Sequence, residues 1–407
     1  MNPRLILRLV VALMAIAATA AAQTQPPDRA GEALAARQLK AAASAPFEPG
    51  KVERLLNKIE TGGLFQGLFA GRDGLGIRIG GIENGAGFAL GPSFRASNLF
   101  NGNLAVHASG AASIVRDREL AAGVALPHLA PGLAFTVDAA RTDLAQERFF
   151  GRGMKSLNID GTAFALHTTR VVARASVAPA DWLQVSLDAG ALTAAAGNGR
   201  SRRLPGIGTR FTDGDAPGLA IGTTFRVVSI GAAVDHRDVP DNPRRGGRYQ
   251  VSAHRYADTL DRHSFTRIDA TVEQHLSGWK RQRVLTLRTI ASTSMADRGQ
   301  QVPFYLQPTL GGARLLRGFV TDRFRDTTML ALQAEYGWDL SPFLNAVLFY
   351  EAGAVAPRWR DLTASDLRRD YGVGFRFGSA RTVAFRTDVA LGSGEGVRLS
   401  MRFNHAF

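Results

Sequence analysis

The sequence predicts an all-β protein, a 16-stranded antiparallel transmembrane barrel with a short helical segment before it. Three observations carry that prediction. A period-two alternation of apolar with small or polar residues runs from Gly74 to the last residue. The N-terminus has the pattern of an export signal. No later stretch offers the roughly 20 consecutive apolar residues that a membrane helix requires.

The chain opens with Arg4 and Arg8 around an apolar stretch from Leu5 to Ala18, followed by Ala20, Ala21 and Ala22. A basic start, a short apolar core and small residues at its end predict a signal peptide over 1–22, cleaved near Ala22. Residues 23–73 then form a short linker with one or two helices. Its second helix would carry Val52, Leu55, Leu56 and Ile59 on one face, and Gly62-Gly63 ends it. An exported chain that crosses a membrane without helices crosses it as a closed barrel of strands.

From 74 to 407 the texture is uniform. Leu330, Leu332, Ala334, Tyr336, Trp338 and Leu340 fall on one face of a strand, and Ala331, Gln333, Glu335, Gly337 and Asp339 on the other. Ile268, Ala270, Val272 and Leu276 oppose Arg267, Asp269, Glu273 and His275 in the same way, and Val383, Phe385, Val389 and Leu391 oppose Ala384, Arg386 and Asp388. Such a strand fits between lipid and a wet lumen. A soluble sandwich also alternates, but its strands usually stop at five or six residues. Aromatics at strand ends, Tyr336 with Trp338 and Phe349 with Tyr350, read as interface girdles. The predicted strands are 75–82, 86–95, 102–115, 118–128, 132–143, 161–178, 181–194, 219–236, 246–258, 264–278, 281–293, 327–340, 344–355, 370–378, 381–391 and 396–407. With a periplasmic N-terminus, the long gaps at 144–160, 195–218, 294–326 and 356–369 all fall on the outer side.

The net charge of +14 is nearly all arginine, since lysine occurs only at 40, 51, 58, 155 and 280. An exported protein rarely meets nucleic acid, so arginine facing lipid phosphates or paired inside a barrel is the expected use, and outer-membrane lipids are expected partners. There is no cysteine, which removes disulfides and thiolate metal sites. Gly151-Arg-Gly-Met-Lys155-Ser156 lacks phosphate-loop spacing, the eight histidines have no zinc spacing, and no Gly-x-Ser-x-Gly elbow occurs. Hence no catalytic residue, cofactor or metal is expected.

The longest late connection holds Gly311-Gly312-Ala-Arg-Leu-Leu-Arg317-Gly318-Phe319. It resembles the Val/Leu-Arg-Gly-Phe/Tyr motif on the sixth outer loop of the BamA/TamA superfamily of bacterial surface antigens. The resemblance implies that the loop folds back into the barrel and that Arg317 meets acids on the next two strands, here Glu335 and Glu351. The second acid is often aspartate in the family. Strand parity independently points both glutamates into the lumen, where an unpaired charge is costly. Gly318 would let the backbone approach the wall. The run from Asp235 through Arg237, Asp238, Asn242 and Gly246 to Tyr249 is similar to the family's periplasmic turn, and Phe149-Phe150-Gly151-Arg-Gly153 to an element of its third outer loop. Val397, Leu399, Met401, Phe403 and Phe407 alternate to a final aromatic, resembling the terminal signal by which outer-membrane barrels are recognised for assembly.

The resemblance covers 74–407 and implies protein insertion or translocation at the bacterial outer membrane. Its partners would be other outer-membrane proteins as substrates. Family members that assemble proteins carry periplasmic POTRA domains, which 23–73 is too short to hold, so a separate periplasmic chain would supply them. A passive pore, a lipid-transport barrel or a structural barrel that kept the fold is the alternative expectation.

Overall fold

The computed structural model describes residues 73–82, 88–278, 283–341, 343–378 and 383–403. The expected signal peptide, the helical linker up to residue 72 and Phe407 lie outside the described residues. The strands are β1 Gly74–Gly80, β2 Ala89–Leu99, β3 Leu104–Ser113, β4 Arg118–Ala130, β5 Leu133–Phe149, β6 Thr162–Ala180, β7 Leu183–Asn198, β8 Thr223–Asp235, β9 Gly246–Asp258, β10 Phe265–Ser277, β11 Arg283–Ala296, β12 Thr309–Leu310, β13 Phe324–Arg325, β14 Thr328–Ser341, β15 Leu344–Ala356, β16 Arg368–Gly378, β17 Val383–Gly392 and β18 Gly396–Phe403.

Among the described residues, sixteen of these strands form one sheet in simple sequence order, every neighbour antiparallel, as alternation alone had predicted. The two-residue strands β12 and β13 pair with each other inside the connection from β11 to β14. β1 and β18 are the two ends of the sheet's strand order, and no ladder between them is found among the described residues.

The faces are inverted relative to a soluble sheet. Leu75, Leu120, Val397, Leu399 and Met401 each leave more than 60% of their surface exposed, whereas Glu351, Asp370 and Asp388 are buried at 0–1%. An apolar outside with carboxylates inside fits a wall between hydrocarbon and a polar lumen, and excludes a soluble sandwich. Two residues depart from the expected faces. Phe349 points inward and is buried, because Tyr350 takes the outward position next to it. Val383 is also buried, because the β16–β17 pairing shifts register at Phe377/Gly378.

Wall height varies. β5 and β7, of 17 and 16 residues, run six and four residues past their expected ends, and β6 has 19, close to expectation, whereas β3 has 10 and β17 has 10. Alternation continues above the membrane, so periodicity could not locate the lipid boundary. The connections at the outer end are packed rather than loose. Phe149, Phe164, Ile207 and Phe304 form one buried cluster, with Phe149 and Phe304 edge to face at 5.0 Å. Leu310, Leu316, Phe319, Phe324, Met154 and Val355 form another.

Candidate functional site

The β11–β14 connection, 297–327, is the sixth on the outer side. It runs back into the lumen and presents Arg317 to the wall. Its tip is a compact turn: Phe319 N–H donates to Leu316 O, Gly312 N–H to Phe319 O and Gly311 N–H to Leu315 O. Leu316 takes a positive φ of 54°, a strained state for a non-glycine residue, held here by nearly complete burial of its side chain. Phe319 is buried against Phe324, centroids 5.4 Å apart, which anchors the tip from above.

Arg317 donates from its backbone N–H and from all three guanidinium nitrogens. Its backbone N–H donates to Glu351 Oε2 at 2.7 Å and its Nε to Glu351 Oε1 at 2.9 Å. Nη1 and Nη2 both reach Glu335 Oε2 at 3.1 Å, and Nη1 also reaches Asp388 Oδ1 at 3.2 Å. The guanidinium lies 3.6 Å from the Phe349 ring centroid, a cation–π contact on its remaining face. Burial by itself would lower the Arg317 pKa. The negative charges of Glu351, Glu335 and Asp388 outweigh it and hold the pKa above its ordinary value, so the group stays charged.

The expected pair of acids is therefore in place, Glu335 on β14 and Glu351 on β15. The tip does more than the motif implied. Gly318 N–H donates to Asp370 Oδ2 on β16 at 2.6 Å, and Asp388 lies on β17. One loop tip thus ties four consecutive strands, β14 to β17. Gly318 is required by space: a Cβ there would stand 2.5 Å from the Gly392 backbone and 2.8 Å from Asp370 Cβ. Arg376 joins the same network through Glu335 at 2.9 Å and Asp388 at 2.7 Å, and Gln333 donates to Glu351 Oε1 at 2.6 Å. Asp370 and Arg376 were not singled out from sequence, and Phe349 was placed with the outward girdle. Parity places Asp388 in the lumen, but nothing in the sequence says how deep the tip descends.

The loop is also held higher up. Arg323 pairs with Glu395 of the last outer connection, donates to Ser156 Oγ at 2.9 Å and Ser156 O at 2.8 Å, and lies 5.0 Å from the Phe150 ring. Gly153 N–H donates to Arg325 O at 2.8 Å. The Phe149–Gly153 element is thus the partner of the sixth loop, with Gly151 and Gly153 at φ 91° and 80° making the bend.

At the opposite end, the connection 236–245 between β8 and β9 is a built turn. Arg237 donates twice to Asp235, at 2.9 and 2.6 Å, and Asp238 Oδ1 accepts the backbone N–H groups of Val239, Arg244 and Arg245. Gly246, at φ 90°, passes so close to His236 O that a Cβ would sit 2.1 Å from it. Arg244 makes a two-pronged contact with Asp339 of β14, 2.7 and 3.0 Å. Arg317, Arg237 and Arg244 all line one lumen cavity of about 400 Å³, so the two sequence motifs, some 70 residues apart, meet at the same cavity. Of the terminal pattern, Phe403 is the last residue of β18 and Phe407 lies outside the described residues. Among the described residues, no group of three or more His, Asp or Glu side chains could hold a metal ion.

A sixteen-stranded antiparallel wall, apolar outside and charged within, with a loop folded back into its lumen, defines an integral outer-membrane β-barrel. Residues 222–405 match the Omp85 superfamily domain, so this part of the chain is similar to the barrels of that superfamily. Two solved structures share the fold. The crystal structure of BamA from Haemophilus ducreyi lacking POTRA domains 1–3 aligns with a TM-score of 0.61 at 11% identity, covering 81% of this chain and 70% of that one. CdiB from Escherichia coli aligns with a TM-score of 0.52 at 13% identity, covering 82% of this chain and 61% of that one. At these identities the likeness carries the fold alone. No curated protein matches the sequence.

Proposed function

We propose that this barrel inserts or translocates proteins at the bacterial outer membrane. The Omp85 domain match over 222–405 supports the class of activity, and one observation supports the mechanism. The arginine tip braces β14 to β17 directly, whereas among the described residues β18 is held to β17 by its ladder and one long Arg402–Asp388 pair at 4.0 Å. The lock would keep the wall rigid up to the last pair of strands while leaving the β1 and β18 edges free to part. A substrate strand would then pair with an exposed edge, because unpaired backbone groups in lipid are strongly unfavourable. Substrates would be other outer-membrane proteins, a separate periplasmic chain would deliver them, and no covalent chemistry is involved.

The test is a crosslink. The chain has no native cysteine, so Ile77→Cys with Leu399→Cys introduces a single pair on the lipid faces of the two end strands. Crosslinking that stops accumulation of other barrels in the outer membrane supports the reading. Unchanged accumulation with the seam quantitatively crosslinked overturns it. The rival, a passive pore, predicts steady conductance to small solutes, whereas a lumen crossed by the sixth loop predicts a mostly closed barrel.

A further inference from the structure

Near the ends of β16, β17 and β18 opposite the loop tip, the pairing register sets Arg376 beside Arg386 and Arg386 beside Arg402. All three line the lumen cavity, on the side that connection lengths assign to the periplasm. Like charges directly opposite one another on adjacent strands are destabilising. Here three stand in one row, and the available carboxylates do not balance them. Asp388 Oδ1 and Glu335 Oε2 each already serve both Arg317 and Arg376, and Asp388 Oδ2, itself without a hydrogen-bond partner among the described residues, stands 4.0 Å from Arg402. Among the described residues Arg386 has no ion pair. The Nε atoms of Arg376, Arg386 and Arg402 are each buried without a hydrogen-bond partner among the described residues. Buried donors left unmade are costly, so a row of them calls for an acceptor.

We propose that the Arg376–Arg386–Arg402 row binds a phosphate group, either free or as the head of a lipid. Planar guanidinium forks match phosphate oxygens two at a time, and a phosphate offers enough acceptors and charge to serve neighbouring arginines together, which one carboxylate with two oxygens does not. The position fits both sources. The cavity is open to solutes below the loop, and β18 is the end strand of the wall, next to the periplasmic leaflet with its phospholipid heads.

The experiment uses the full-length protein in a maltoside detergent at constant ionic strength. It is titrated separately with inorganic phosphate and with dihexanoyl phosphatidylglycerol, with chloride as the reference. Binding heat and unfolding temperature are read together, since a ligand that binds only the folded state raises the latter. Phosphate is expected to stabilise the barrel beyond chloride. Arg386→Gln and Arg402→Gln should each weaken binding about tenfold or more, the scale of one lost charge-assisted contact. Arg386→Lys, which keeps the charge and loses the fork, should also bind more weakly, and it guards against a Gln variant that fails to fold. Arg174→Gln, on β6 and outside the cavity lining, should leave binding unchanged. Without phosphate, Arg386→Gln should unfold at the same or a higher temperature than the parent, because one of three adjacent like charges is gone. Competition by the lipid identifies a headgroup site, and response to inorganic phosphate alone identifies a solute site; either supports the proposal. Equal responses to phosphate and chloride, or phosphate binding that survives both Gln substitutions, overturns it.

Discussion

The lumen is lined with ion pairs at both ends of the sequence, yet the two regions behave as different materials. On β1 to β5, Arg78 pairs with Glu119, and His107 stands 3.4 Å from Asp138 with both side chains more than 40% exposed. On β14 to β17 the Arg317 network lies beneath the folded-back loop, with Arg317 at 5% exposure and Glu351 and Asp388 at 1%. The residue types are the same. What differs is water. In the wetter half, solvent reaches the pairs, though Arg78 and Glu119 are only 28% and 15% exposed, and it screens their attraction. In the covered half, each charge depends on the others, because removing one strands its partner in a medium that solvates it poorly.

That contrast is breakable, and Arg317→Ala should break it hardest. It leaves Glu351 and Glu335 facing the cavity without their main counter-charge, a loss of about 3–5 kcal/mol for a buried pair. The expected readouts are faster protease cleavage within 297–327 and a rise in single-channel conductance. A variant unchanged in both assays would show that the tip is held by Phe319 and Arg323 instead.

Gly318→Ala should follow, at about 1–3 kcal/mol, as overpacking against backbone that cannot yield at Gly392. A lower unfolding temperature checks it, and an unchanged value would mean the tip can rise by an ångström without penalty. The periplasmic turn should respond to pH. Burial pulls the Asp238 carboxyl upward, but the N–H donors of Arg244, Arg245 and Val239 outweigh it and hold the pKa below 3.8. A depressed carboxyl stabilises the fold fully above its ordinary value, and that stability disappears as pH falls through the lowered one. Hydrogen exchange at 236–245 should therefore accelerate in acid beyond the intrinsic rate change, and Asp238→Asn should abolish the extra acceleration. Smallest of all is Arg78→Ala on the wet side, expected to cost about 0.2–1 kcal/mol by denaturant unfolding. A loss as large as that of Arg317→Ala would erase the distinction between the two halves.

Much of this was legible in the residues. Period-two alternation placed sixteen wall strands in order, because a one-residue slip would turn a whole apolar face into the lumen. The Arg-Gly-Phe tip with Glu335 and Glu351 was readable from motif and parity together. What the sequence withheld is tertiary. Whether a tip that reaches two strands also reaches Asp370 and Asp388 depends on depth of insertion, which loop length alone leaves open. Phe349 was counted with the girdle because aromatic type says nothing about face, and the inward-facing parity of Glu351 two residues later gave the better reading. The turn's Arg244–Asp339 contact spans 95 residues, beyond any local pattern.

The uneven height of the wall has a consequence for the surrounding bilayer. A tilted membrane strand needs about 9–11 residues to cross the hydrocarbon. β6 exceeds that by several residues, whereas β3 and β17, near the two ends of the sheet, barely meet it. Lipids packed beside the long strands find ample hydrophobic height. Those near the β1–β18 seam must match a shorter one by thinning, at a fraction of a kcal/mol per ångström of mismatch. A gradient of hydrophobic thickness around the barrel, thinnest beside the strands least firmly joined, is the expected outcome, and bilayer thickness around the reconstituted protein checks it.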